Sequence, residues 1–220
     1  MSKRETLKSI ALATMIVVGF MAQSKTAHAE NLQTLTVAGG CFWCVEADFE
    51  KVRGVKEAVS GFTGGTVPNP SYKQVTSGGT GHYEAVQITF DADVVSRRTL
   101  LDLFFRSIDP TDAGGQFCDR GEGYRSAIFT STAAEEKIAT AAKTKAAADL
   151  GLTIVTPILG ASEFYPADAY HQDYYKGRQL VITRFGPKRQ ASAYTAYREA
   201  CGRDARVKEL WGNDAPFVNS

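Results

Sequence analysis

Apolar and polar side chains alternate most cleanly in Val86-Gln87-Ile88-Thr89-Phe90. A period of two marks a strand with one covered face, and the strand predicted here runs over Tyr83–Phe90. Four further short apolar runs predict strands at Leu35–Ala38, Val55–Phe62, Tyr124–Phe129 and Thr153–Ile158. A helical period governs Ser96–Ile108, where Leu100, Leu103, Phe104 and Ile108 form one stripe behind a Ser96 N-cap. Helices are also predicted over Cys44–Val52, Ala133–Leu150 and Ala167–Lys176, with shorter ones at Ala191–Ala200 and Ala205–Trp211. Strands and helices intermix without regular βαβ alternation. The expected class is therefore α+β, a two-layer sandwich in which helices cover a mixed or antiparallel sheet.

Two stretches fit neither period. Gly64–Gly81 is rich in Gly and Pro, and Asp109–Gly123 reads Asp-Pro-Thr-Asp-Ala-Gly-Gly-Gln-Phe-Cys-Asp-Arg-Gly-Glu-Gly. Long loops inside a compact domain are usually functional or mobile. The expected arrangement is a ferredoxin-like plait with long loops.

The composition, 44% hydrophobic and 22% charged over 220 residues, is that of an ordinary globular chain. Residues 1–29 stand apart. Lys3, Arg4 and Lys8 precede the apolar run Ile10–Met21, and Ala27-His28-Ala29 is a small-x-small cleavage site. This is the pattern of a secretory signal peptide. The run is too short for the roughly 20 residues that span a bilayer, so no stable membrane insertion is expected after cleavage. The expected location is periplasmic or otherwise exported. The leader holds Lys3, Arg4, Lys8 and Lys25 against Glu5, so its removal takes the formal charge from +1 to −2. No basic stripe remains, which argues against a nucleic-acid partner.

All four cysteines, Cys41, Cys44, Cys118 and Cys201, follow the leader. Export would place them where disulfides persist, so two structural bridges, in any of three connectivities, are one reading. Gly39-Gly40-Cys41-Phe42-Trp43-Cys44 suggests another. A cysteine that begins a helix after two glycines lies where unpaired N–H groups and the positive end of the helix dipole favour a thiolate. The aromatics put an apolar wall beside it. A thioredoxin-like dithiol fits poorly, because Phe42 and Trp43 are large. Zinc fits poorly too, because Cys118, Cys201, His82 and His171 are scattered singles. The chain is thus read as a redox or thiol-transfer enzyme, with no metal or bound cofactor.

In its blocks and their order, the chain resembles the A class of peptide methionine sulfoxide reductases. Gly40-Cys41-Phe42-Trp43 with Glu46, Gly54-Val55 and Gly61-Phe62-Thr63-Gly64-Gly65 carry the first part. Asn69-Pro70-Ser71-Tyr72, Gly81-His82-Tyr83-Glu84-Ala85-Val86, Asp119-Arg120-Gly121, Tyr124-Arg125-Ser126-Ala127-Ile128 and His171-Gln172-Asp173-Tyr174 follow. The resemblance implies one catalytic domain over residues 30–220 that reduces methionine S-sulfoxide, peptidyl or free. Cys41 would be the nucleophile, Glu84 the general acid, Tyr72 and Tyr124 donors to the sulfoxide oxygen, and Asp119 a second carboxylate. Phe42 and Trp43 would cup the substrate methyl. Glu46, taken to lie in the first helical turn, would be structural support.

Attack would leave a sulfenic acid that a second thiol condenses into a disulfide, recycled by a thioredoxin-like donor. The commonest family pattern has glycine where this chain has Cys44, and a glycine-rich C-terminal cysteine segment where this chain has Cys201-Gly202-Arg203-Asp204. Cys44, one helical turn from Cys41, is the favoured resolving thiol. Cys201 is the alternative or a second relay, and Cys118 has no assigned role. Two other readings stay open: a protein thiol–disulfide oxidoreductase, and a non-catalytic metal-binding protein.

Overall fold

The structure, a computed structural model, describes residues 30–218; the predicted signal peptide lies outside them. The strand with the clean alternation is β3, Tyr83–Asp91. It is flanked by β1, Leu32–Gly39, and β2, Val55–Thr63, both antiparallel to it. β6, Ser126–Thr130, pairs antiparallel with the far side of β1. Between these strands lie α1, Phe42–Phe49, and α3, Arg97–Phe105. The four strands thus stand β6-β1-β3-β2 in a βαββαβ path, which is the ferredoxin-like arrangement expected. β7, Ile158–Gly160, extends the sheet parallel to β6, and β8, Tyr165–Pro166, extends it beyond β2.

The period of two decides what each strand buries. Val86, Ile88 and Phe90 of β3 join Leu35 and Val37 of β1 in the main core, against Phe42, Val45 and Phe49 of α1 and Leu100, Leu101, Phe104 and Phe105 of α3. Each such large side chain contributes roughly 1.5–3 kcal/mol by leaving water. The opposite parity, Tyr83 and Ala85, faces a smaller cluster with Ala38, Ala127 and Phe129. Glu84 shares the parity of Val86, so the same alternation turns a carboxyl toward the helices.

α4, Ala133–Leu150, has the predicted bounds, with a Thr132 cap on the Glu135 N–H and a left-handed Gly151 after its end. It packs small residues, Ala139, Ala142 and Ala146, into the main core. The C-terminal helices, α5 at Gln190–Cys201 and α6 at Arg203–Trp211, extend slightly beyond their predicted spans.

Several expectations fail for identifiable reasons. Ala167–Lys176 is not an α-helix; only a 3₁₀ turn, Tyr174–Lys176, forms. Asp173 is left-handed at φ 55°, its N–H donates to Glu46, and the Gln172 amide bonds the Ser60 backbone, so distant partners outweigh the helical pattern. The strand predicted over Thr153–Ile158 begins only at Ile158, after Pro157, which has no N–H for a ladder. Tyr124 belongs to a 3₁₀ turn ahead of β6. Helix α2, Tyr72–Ser77, and the hairpin of β9, Leu180–Thr183, and β10, Gly186–Arg189, were not predicted. Two-residue strands β4, Gly115–Gln116, and β5, Asp119–Arg120, order the second long loop.

Candidate active site

Cys41 occupies the N-cap of α1, and its carbonyl accepts from the Cys44 and Val45 N–H groups at 3.1 and 3.4 Å. The two glycines before it are required by space. A Cβ on Gly40, whose φ is +77°, would lie 2.5 Å from the Gln116 Cβ, and one on Gly39 would lie 2.9 Å from Val45. Of two buried side chains from far along the chain, one bonds this turn and the other packs against it. Arg203 donates to the carbonyls of Gly39 at 2.5 Å and Ser107 at 2.8 Å. Gln116 accepts from the Asp109 N–H and donates to the Asp109 and Gly115 carbonyls.

The electrostatics of the thiols differ from the expectation. The helix start was expected to lower the pKa of Cys41; instead it is held well above its ordinary value. Its thiol hydrogen-bonds Cys44, it is desolvated, and Cys44, Glu84 and Asp119 oppose a negative charge on it. Cys44 is lowered to about 7 by the bond from Cys41 and by the positive charges of Arg203 and Arg198, against the penalty of burial. The pair therefore holds one shared anionic charge near neutrality, resting mainly on Cys44. Arg198 is fixed by Asp48, at 2.8 Å, and by Asp204 and the Tyr194 hydroxyl.

Glu84 is 2% exposed. Burial raises its pKa to about 8, with Asp119 and Cys44 adding to the rise and the Phe42 N–H opposing it. That N–H donates to Oε2 at 3.1 Å, while Oε1 has no partner. A glutamic acid that keeps its proton near neutrality thus touches the residue after Cys41. The hydroxyls of Tyr72 and Tyr124 hydrogen-bond each other, and burial raises both pKa values, so both stay protonated donors. Asp119 is half-buried and raised by burial, with Arg203 and Arg184 opposing. Cys41, Glu84, Tyr72, Tyr124 and Asp119 line one cavity of about 370 Å³.

The two aromatics divide their work. Phe42 is 1% exposed and belongs to the main core, packed on Phe62, Tyr72 and His171. Trp43 is half-buried and lies flat on Tyr174, with ring centroids 3.7 Å apart. Both line the cavity. Glu46 lies beyond the first turn of α1. It is buried, raised to about 7 by burial, and accepts from the Ser60 hydroxyl and the Asp173 N–H. This is structural support by a different route from the helix dipole.

Cys118 and Cys201, 83 residues apart, form a disulfide that lines the same cavity. Cys201, weighed as a resolving thiol or relay, therefore has no free thiol in this state; the end of α5 lies against the β4–β5 loop and brings the two Cα atoms to 4.9 Å. Cys41 and Cys44 are free. Among the described residues, two groups bring possible metal ligands close together. In Cys118, Asp119 and Cys201 the sulfurs are bonded to each other. In Glu46, Glu50 and Asp173 the carboxylates are engaged by Ser60, Tyr175 and Lys176.

Residues 33–212 match the family model described as peptide methionine sulfoxide reductase. The chain belongs to the peptide methionine sulfoxide reductase family. It is 45% identical over 201 residues to a reductase of that name, MsrA 2, from Caulobacter vibrioides, covering 91% of this chain and 95% of the relative. It is 46% identical over 187 residues to MsrA of Bacillus licheniformis, covering 84% and 96%. Among solved structures it resembles reduced Mxr1 of Saccharomyces cerevisiae, with a TM-score of 0.63 and 32% identity over 69% of this chain and 90% of that one. Methionine sulfoxide reductase A of Corynebacterium diphtheriae gives 0.59 and 32% over 66% and 74%. The protein is thus an oxidoreductase that reduces methionine sulfoxide.

Sequence reasoning missed several residues of this reductase site. Arg198, Arg203 and Gln116 support the thiols, and Tyr174 backs Trp43. His171 stacks on Tyr72 with centroids 4.4 Å apart and is kept neutral by burial. Only His171 and Tyr174 carried a signal, as members of the His171-Gln172-Asp173-Tyr174 block.

Proposed function

We propose that this reductase works by attack of the Cys41 sulfur on methionine S-sulfoxide, free or peptidyl. As the sulfur–sulfur contact forms, Cys44 takes the Cys41 proton, Glu84 delivers its proton to the sulfoxide oxygen, and Tyr72 and Tyr124 donate hydrogen bonds to it. The oxygen leaves with Cys41 as a sulfenic acid and the thioether departs. Cys44 then displaces water, giving a Cys41–Cys44 disulfide, which a thioredoxin-like dithiol reduces. The observation that carries this reading is the protonated, half-unpartnered Glu84 bound to the backbone beside Cys41. An apolar wall cannot distinguish sulfoxide from thioether, because a methyl contributes only about 0.8 kcal/mol to either. Donors aimed at the oxygen can, because each one left unsatisfied costs about 1–3 kcal/mol.

Export belongs to the same proposal, supported by the basic start, the short apolar run and Ala27-His28-Ala29. The test is single-turnover thiol counting with methionine sulfoxide. Cys44→Ser is expected to form one methionine per enzyme and stop as a sulfenic acid that a dimedone-type probe captures. Continued cycling of Cys44→Ser would remove Cys44 from the resolving role.

A further inference from the structure

The hairpin of β9 and β10 has two unlike faces. Toward the protein, Val181 packs on the cluster of Cys44, Tyr174, Ala193 and Tyr194. Toward solvent, Leu180 is 68% and Ile182 81% exposed, with Phe185 40% exposed at the tip. Val181, Ile182, Thr183 and Arg184 reach the rim of the cavity that holds Cys41. Large apolar side chains facing water beside a reactive cavity, rather than scattered over the surface, mark an interaction site.

The backbone adds direction. Among the described residues, β9 has β10 as its sole strand neighbour. The Gln190 N–H donates to the Gln179 carbonyl, and antiparallel ladders alternate bonded with non-bonded pairs. Val181 and Thr183 therefore bond across to Lys188 and Gly186, while Leu180 and Ile182 face Arg189 and Pro187 in non-bonded pairs. Pro187, with no N–H, fits such a position. The N–H and C=O groups of Leu180 and Ile182 thus point along the free edge, where an extended chain can pair with them. The charge is one-signed: Arg178, Arg184 and Arg189 are exposed and Lys188 half-buried, with no acidic residue from 178 to 190.

We propose that the free edge of β9 docks an extended polypeptide as a third strand, preferring acidic residues beside its methionine sulfoxide and delivering the oxidised side chain into the cavity. This rests on the reductase reading above and names how that site takes peptidyl substrate. Alternate residues of the docked strand face the Leu180 and Ile182 side, and the cations meet its acidic flanks.

The test measures kcat and KM on the full chain with three substrates: free methionine sulfoxide, an extended peptide with a central methionine sulfoxide flanked by glutamates, and the same peptide flanked by lysines. Wild type is expected to favour the glutamate peptide over free methionine sulfoxide by about tenfold or more in kcat/KM, an advantage that shrinks with salt. Leu180→Asp, which repels an acidic strand, and Leu180→Pro, which removes an outward N–H, are each expected to cut the peptide-to-free ratio about tenfold, through KM. Equal kcat/KM for peptide and free substrate overturns the proposal. So does an unchanged ratio in both variants, or an equal loss on both substrates. A change confined to the KM of the dithiol donor also overturns it and assigns the edge to the electron donor. If wild type reduces none of the three substrates, the reductase reading itself fails.

Discussion

Cys41 and Cys44 sit one helical turn apart, unbonded, with the guanidinium groups of Arg203 and Arg198 stabilising charge on the second. Cys118 and Cys201 sit 83 residues apart, bonded to each other, with the carboxylate oxygens of Asp119 3.8 Å from each sulfur. Both pairs line one cavity. The contrast shows that thiols are brought together either by one helical turn or by a fold that joins residues 83 apart, while the cations of distant elements add to the Cys41 hydrogen bond in favouring charge on Cys44. The cations beside Cys44 come from α5 and α6, over 150 residues further along the chain. In the mechanism proposed above, the first pair is held ready as a nucleophile. The second clamps the β4–β5 loop, and with it Asp119, to the end of α5.

The largest separation of the two pairs is expected from serine substitutions. Cys41→Ser should lower methionine sulfoxide reduction by roughly 10⁴-fold or more, the scale of losing a catalytic nucleophile. Cys118→Ser should leave the first turnover, read as methionine formed per enzyme, close to wild type. A comparable collapse in Cys118→Ser would erase the distinction.

Glu84 lies on the side of the first pair, and Glu84→Gln is expected to lower kcat by about 10²–10⁴-fold, while Gln can still accept the Phe42 N–H. The pH–rate profile sharpens the point. Activity should rise as the thiol pair ionises near pH 7 and fall as Glu84 loses its proton near pH 8; the glutamine variant should lose the alkaline limb. Stability carries the same signature. The folded pKa of Glu84, about 8, lies above its ordinary 4.5, so between those values the folded state keeps a proton the unfolded chain has released. Stability therefore falls as pH rises through that window, and denaturant midpoints of Glu84→Gln should show a weaker fall.

How much of this was legible beforehand follows from the range of the interactions. The alternation in β3 and the capped, alanine-rich α4 are local, and both were read correctly. The site residues carried by motif blocks were named in advance, and strand parity gathers Glu84 with Cys41 as those blocks implied. Ala167–Lys176 misled because its fate depends on Glu46 and Ser60, over 100 residues away. The β9–β10 hairpin turns on Arg184-Phe185 without the Asn-Gly or Asp-Gly that announces a tight turn. Arg198 and Arg203 were invisible because an arginine on a C-terminal helix reads as solvated surface; both are buried. The rise of the Cys41 pKa went unseen because it comes first from a hydrogen bond with Cys44 and from burial, with Glu84 and Asp119 adding to it once the fold brings them near.

On the side of the second pair, reduction or Cys201→Ser is expected to cost roughly 2–4 kcal/mol of stability, because the bond closes a long loop in the unfolded chain. Urea unfolding with and without a reductant measures it. The same change frees the loop that carries Asp119, so KM should rise more than kcat falls. A pair that transferred electrons in every cycle would instead show lost steady-state turnover with an intact first turnover, and that result would move Cys118 and Cys201 from clamp to relay.

The smallest effect is expected where the two sides meet, at the tyrosines. Tyr72 and Tyr124 share a hydrogen bond in the free enzyme, so removing one hydroxyl leaves the other able to turn to the sulfoxide oxygen. Each of Tyr72→Phe and Tyr124→Phe should therefore lose only about tenfold in kcat/KM, one neutral hydrogen bond in rate terms. The double variant should lose more than the product of the two, because no hydroxyl then remains to substitute. Losses that multiply without excess would mean that the two hydroxyls act independently and that neither covers for the other.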